Sequence, residues 1–148
     1  MPDTVRLAVM QPPADLGSAK ERIAWVRDRL PRLTTDGVEI ALLPELFLCG
    51  YHIGDAVSER AEPLDGPGFD AMRDLALQSG IALHYGFAEA CEGRLYNAAL
   101  CVGPDGTRLS HQRKLAIPPG FEQAHFTPGA GCDLFTHSVM RFATLICY

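Results

Sequence analysis

The segment VEIALLPE, Val38 to Glu45, decides the architecture. Val38 to Leu43 holds too little polarity to face water, so it reads as a strand buried centrally in a sheet. Pro44 ends it, because proline cannot donate to a ladder, and Glu45 then stands at the strand's carboxyl end. Upstream, Asp36-Gly37 closes a helix that begins at Ser18, where Ser18 and Glu21 form a capping-box pattern. Ile23, Val26, Leu30 and Leu33 recur at helical spacing, and Pro31 is expected to kink or shorten the helix. Before it, VRLAVMQ (Val5 to Gln11) is another short buried strand, stopped by Pro12-Pro13. Downstream, Phe69 to Ser79 reads as a helix with Met72, Leu75 and Ala76 inward and Gly80 as terminator.

Beyond Gly80 the chain becomes strand-rich. Ile81 to Glu89 and Leu95 to Gly103 read as strands, and Pro104-Asp105-Gly106 turns the second into Thr107 to Arg113 as a hairpin. A Pro/Gly-bearing loop covers Lys114 to Gly131, and Asp133 to His137 with Val139 to Cys147 form a last strand pair. The fold class is therefore α/β, with a mixed sheet that is parallel early and antiparallel later.

Composition narrows the function classes. The 148 residues fit one domain, and a net charge of −5 without a basic cluster argues against nucleic acid. No apolar run is long enough to span a bilayer, so no membrane partner is expected. The start, Met-Pro-Asp, runs directly into a strand and shows no signal peptide. The five cysteines have no C-x-x-C spacing, so a reducing cytoplasm is the expected location. Cys91 and Cys101 read as inert core thiols. The five histidines have no metal-ligand spacing, and His84 reads as a satisfied core residue. The glycines match no phosphate-binding fingerprint, so neither a metal nor a nucleotide cofactor is expected.

Three reactive groups stand where strands end: Glu45 after VEIALL, Lys114 after TRLSHQR and Cys147 after RFATLI. Carboxyl ends of strands are where open α/β sheets bind ligands, so the three could converge on one pocket. Together they would supply a base, an electrostatic stabiliser and a nucleophile. Each taken singly also fits a duller reading, as a solvated carboxylate, an edge charge and a core thiol.

The words around them resemble the nitrilase superfamily of carbon–nitrogen hydrolases. LLPELFLCGY (Leu42 to Tyr51) is similar to that family's base motif, HQRKLAIPPGFEQAHFTPG (His111 to Gly129) to its lysine motif, and RFATLICY (Arg141 to Tyr148) to its nucleophile motif. AVMQ and LYNAALCVGPDG agree as lesser words. The resemblance implies Glu45 as base, Lys114 as catalytic lysine, Cys147 as attacking thiol and Glu122 as a supporting glutamate. It also implies Lys114 and the Tyr148 backbone N–H as oxyanion donors, and Tyr51 as a candidate pocket residue. Tyr148 stands where the nitrile-cleaving branch usually has Trp, which tilts the expected substrate toward a small amide or N-carbamoyl compound.

The resemblance implies a four-layer α-β-β-α sandwich of about twice this length, since two sheets must each be covered. Residues 1–148 are therefore expected to be the N-terminal part of such a domain, ending inside an apolar stretch. A homo-oligomer is expected, because a bare sheet face favours association. Two alternatives stay open: a non-catalytic remnant that associates with another chain, and a flavodoxin-like module, which accounts only for the early βαβ order.

Overall fold

The computed structural model describes residues 4–147. The capping box forms as read: Glu21 N–H donates to Ser18 Oγ at 3.2 Å, and Ser18 N–H donates to Glu21 Oε2 at 2.8 Å. It opens α1 (Ala19–Arg27), and the helical path breaks before resuming as α2 (Leu30–Thr35). Pro31 lies in the first turn of α2, where its missing N–H costs nothing, so the break falls just ahead of it. Ile23, Val26 and Leu30 are buried, each contributing about 1.5–3 kcal/mol of apolar transfer.

Five strands form one sheet in the order of the chain: β1 (Leu7–Val9), β2 (Ile40–Leu42), β3 (Ala82–Cys91), β4 (Arg94–Val102) and β5 (Arg108–Arg113). β1, β2 and β3 pair in parallel, and β3, β4 and β5 antiparallel, which is the expected mixed sheet. The first two strands are shorter than the sequence suggested, with Pro12-Pro13 and Pro44 cutting the ladder. Between β2 and β3 the chain makes an unforeseen short helix, α3 (Ala56–Arg60), and then α4 (Pro67–Ser79), which ends on a left-handed Gly80.

Alternation along the strands separates two faces. Ala41, Leu83, Tyr85, Phe87, Ala98, Leu100 and Val102 share a core with Val26 and Leu30 of the first two helices and Met72 and Leu75 of α4. On the other face, Ile40, Ala82 and Cys101 lie beneath Phe135 and Phe142. Those rings, 5.4 Å apart, belong to a separate hairpin. Ahead of that hairpin a short helix, α5 (Phe121–His125), interrupts the irregular loop expected from Lys114 to Gly131. The hairpin is β6 (Leu134–His137) with β7 (Met140–Ala143).

The strand expected to reach Cys147 stops at Ala143. Ala143 pairs with Leu134, the first residue of β6, so the chain beyond it has no partner strand. Thr144 is instead held by side chains: His84 Nε2 lies 2.9 Å from its Oγ1, and Cys132 Sγ donates to its carbonyl at 3.4 Å.

Two features of the sheet aim the residues read as reactive. Gly86 of β3 lies against the chain leaving β2, and a Cβ there would meet Pro44 O at 2.7 Å and Glu45 C at 2.8 Å. Glu89, buried on the helix-facing side, receives Arg113 through Nε at 2.9 Å and Nη2 at 2.5 Å, and lies 2.7 Å from His111 Nε2. Burial would raise the Glu89 carboxyl, but those two partners outweigh it and hold it down at about 2. With Arg113 anchored to one face, alternation sends Lys114 to the other.

Gly86→Ala is expected to destabilise the fold by about 1–3 kcal/mol in chemical denaturation, because backbone rather than a flexible side chain must yield. A stability unchanged from wild type would contradict the close approach. Glu89→Gln is expected to cost about 2 kcal/mol at neutral pH, below the range for a fully buried pair because Arg113 and His111 keep some solvent contact. A depressed carboxyl stabilises above its unfolded value and loses that contribution as pH falls through the folded one. The gap between wild type and variant should therefore close between pH ~4.5 and ~2 in acid unfolding; a gap constant across that window would refute the assignment.

Candidate functional site

Glu45 follows Pro44 at the end of β2, where Gly86 N–H donates to Pro44 O at 3.2 Å and Leu48 N–H to Gly86 O at 3.0 Å. Leu46 adopts a positive φ of 51°, a costly conformation for a leucine, so the turn that carries Glu45 is held by its surroundings. Lys114 leaves β5 with its backbone N–H donating to Asn97 O at 2.8 Å, and its own carbonyl accepts from Gly129 N–H at 2.8 Å. Gly129 can come that close because a Cβ there would strike Arg113 O at 2.5 Å. Glu122 is carried by α5 and is buried, in contrast to a surface carboxylate in a loop.

These elements converge on the Lys114 ammonium, which is 2% exposed as a residue. Nζ donates to Glu45 Oε1 at 2.6 Å and to Glu122 Oε1 and Oε2 at 2.8 Å each. Asn97, also buried, completes the ring: Nδ2 donates to Glu45 Oε1 at 2.6 Å and to Glu122 Oε2 at 3.0 Å. Burial alone would lower the Lys114 pKa, but hydrogen bonds to Glu122 and Glu45 outweigh it and hold the ammonium above its ordinary value. Lys114 is therefore a fixed cation between two carboxylates, with all three N–H groups occupied.

Tyr51 donates its hydroxyl to Glu122 Oε1 at 3.3 Å while its ring stays largely exposed. Desolvation and the nearby Glu122 and Glu45 charges push the phenol above its usual value, so it remains a donor at neutral pH. It thereby touches the supporting carboxylate.

Cys147 is exposed and lies on the irregular segment after β7. It shares a cavity of about 290 Å³ with Glu45, His84 and Gly86, and a second, of about 530 Å³, with Lys114 and Thr144. Tyr148, expected to offer a backbone N–H, lies outside the described residues. Burial pushes the Cys49 and Cys101 thiols up, to about 11 and about 12, which leaves them protonated and inert. Cys91 is half-buried and Cys132 exposed. His84 is only half satisfied: Nε2 meets Thr144 while Nδ1 is buried without a partner among the described residues, and burial lowers its pKa so that the ring stays neutral. Among the described residues, no group of three or more His, Cys, Asp or Glu side chains is placed to hold a metal ion. None of their helices is long and apolar enough to cross a membrane.

Asn97 is the residue at this centre that motif reading passed over. It stands inside LYNAAL, a word noted only as a whole. The available signal was physical: an amide in an otherwise apolar, buried strand requires hydrogen-bond partners.

The geometry can now be set beside known proteins. The profile of the carbon-nitrogen hydrolase family matches residues 6–148. An (R)-stereoselective amidase of a Pseudomonas species is 34% identical over 74% of this chain, and the N-carbamoylputrescine amidase of Solanum lycopersicum is 34% identical over 76%. The crystal structure of an amidase from Nesterenkonia sp. superposes with a TM-score of 0.87 at 24% identity, covering 97% of this chain. These matches extend over 39%, 40% and 56% of the three relatives' own lengths, so the chain spans about half of such proteins. At 24% identity the structural likeness establishes the α/β fold, and the profile match establishes kinship: the chain belongs to the carbon–nitrogen hydrolase family.

Proposed function

We propose that this chain carries the catalytic residues of a hydrolase that cleaves the non-peptide C–N bond of a small amide or N-carbamoyl compound, with Cys147 as nucleophile, Glu45 as general base and Lys114 as electrostatic stabiliser. The observation that carries this reading is the buried Lys114 ammonium gripped by Glu45 and Glu122 beside cavities that Cys147 also lines. A structural ion pair would not need two carboxylates, one buried and one half-buried, on one buried cation at a cavity wall, and charged groups of this kind cluster at functional sites. The names of the two amidase relatives support the choice of substrate class.

In this scheme Glu45 takes the Cys147 thiol proton, since the thiolate is the effective nucleophile. Sulfur attacks the carbonyl carbon, and negative charge develops on the oxygen. Lys114 meets that charge by turning toward it one of the two N–H groups it now gives to Glu122. Collapse breaks the C–N bond as Glu45 returns its proton to the departing nitrogen, which leaves as amine or ammonia. Water then loses a proton to Glu45 and attacks the thioester, releasing the acid and the thiol. Glu122 and Tyr51 keep Lys114 in place throughout.

One observation favours a second reading, in which the chain is not itself a catalyst and works by pairing with another chain. Leu7, Val9 and Leu145 are exposed apolar side chains near the hairpin side of the sheet.

Rapid mixing with a chromogenic anilide is expected to give a burst of one amine per chain, followed by slower turnover. Cys147→Ala should abolish both phases, and Lys114→Ala should lower turnover by about 10²–10³. Hydrolysis persisting in Cys147→Ala would refute the proposal. An inactive chain whose sedimentation shows assembly through the exposed apolar face would favour the second reading.

A further inference from the structure

We propose that Asn97 is a positioning residue that decides which oxygen of Glu45 handles the proton. The proposal rests on Glu45 acting as the base and adds the means by which its carboxylate is oriented. Glu45 Oε1 receives two donors, Lys114 Nζ and Asn97 Nδ2, both at 2.6 Å. Oε2 takes no hydrogen bond among the described residues, and it belongs to a side chain that keeps some exposure and lines the cavity shared with Cys147. A carboxylate held by a single ammonium can swing to present either oxygen. Two donors on one oxygen, from neighbouring strands, remove that freedom and leave Oε2 to exchange protons with sulfur, nitrogen and water.

The amide's orientation is itself determined. Both Nδ2 hydrogens are used, one on Glu45 and one on Glu122 Oε2, so a flipped amide would set Oδ1 against two carboxylates. Among the described residues Oδ1 is left buried with no partner, a deficit that a purely structural residue would avoid. The main chain of the same residue accepts the Lys114 N–H at 2.8 Å. Asn97 thus ties the cation's backbone to both carboxylates, and a substitution at 97 removes the side-chain contacts while keeping the carbonyl that registers Lys114.

The test uses the whole chain with Asn97→Leu, which keeps the branched shape without the amide, and Asn97→Ser, a smaller variant. Amide hydrolysis is read as separate kcat and KM values across pH, and the mobility of the Glu45 side chain by ¹³C relaxation at its γ-carbon. Expected are a fall in kcat of about 10–100-fold with KM within about threefold, and an acid limb of kcat/KM moved to higher pH, because a donor to the ionised base is lost. The Glu45 order parameter should fall from a rigid value above ~0.8 to below ~0.6. A kcat loss with an unmoved acid limb and a still-rigid Glu45 would overturn the proposal, since a structural role alone predicts that pattern. Should both variants fail to fold, the wild-type Asn97 side-chain amide must still shift in ¹⁵N spectra when Glu45 becomes Gln; an unchanged resonance overturns the proposal as well. The relaxation reading does not need turnover, so a rigid-to-mobile change in a chain that lacks Cys147-dependent hydrolysis would sink the catalytic reading while sustaining Asn97's role in orientation.

Discussion

The arrangement depends on one ammonium group kept out of water between two carboxylates. Lys114 Nζ could not stay charged in that position without Glu45 and Glu122, and the buried Glu122 could not stay ionised beside the half-buried Glu45 without Lys114. The mutual requirement draws together the end of β2, the end of β5 and α5, and Asn97 of β4 closes the ring. The rest of the fold serves that convergence. Gly86 lets the Glu45 turn lie on β3, Arg113 locked to Glu89 sends Lys114 to the opposite face, and Gly129 clasps the Lys114 carbonyl.

Such a centre is poor value as a source of stability. Buried charge networks seldom exceed well-packed apolar side chains in net contribution, while removing one member leaves an uncompensated charge. The strained Leu46 and the orphaned Asn97 Oδ1 add to the cost. A cluster that is expensive to bury, tightly specified and set against a cavity fits preorganised electrostatics better than it fits a structural lock.

Much of this was legible in the sequence, for reasons that can be stated residue by residue. The capping box at Ser18, the inward Met72 and Leu75, the Pro104-Asp105-Gly106 turn and the apolar VEIALL strand are local signals, and local chemistry decides them. Glu45 and Lys114 could be placed because each follows a strand whose limits proline or periodicity marks. Less legible were features set by tertiary context. The end of β7 depends on where β6 begins, α5 is too short to show periodicity, and α3 sits in what reads as loop. Asn97 escaped because one amide in a strand says nothing about which carboxylates will face it. Cys147 was expected to close a strand and instead lies four residues beyond one, on a segment held through Thr144.

The central claim is that Cys147 is chemically distinct because of the carboxylate–lysine centre beside it. The most direct measurement is site-resolved alkylation of the cysteines by iodoacetamide at neutral pH, read by mass spectrometry. The account predicts that Cys147 reacts at least about tenfold faster than Cys132, the other exposed thiol, and that Glu45→Gln removes most of the difference. Equal rates at Cys147 and Cys132, or an advantage indifferent to Glu45→Gln, would contradict it.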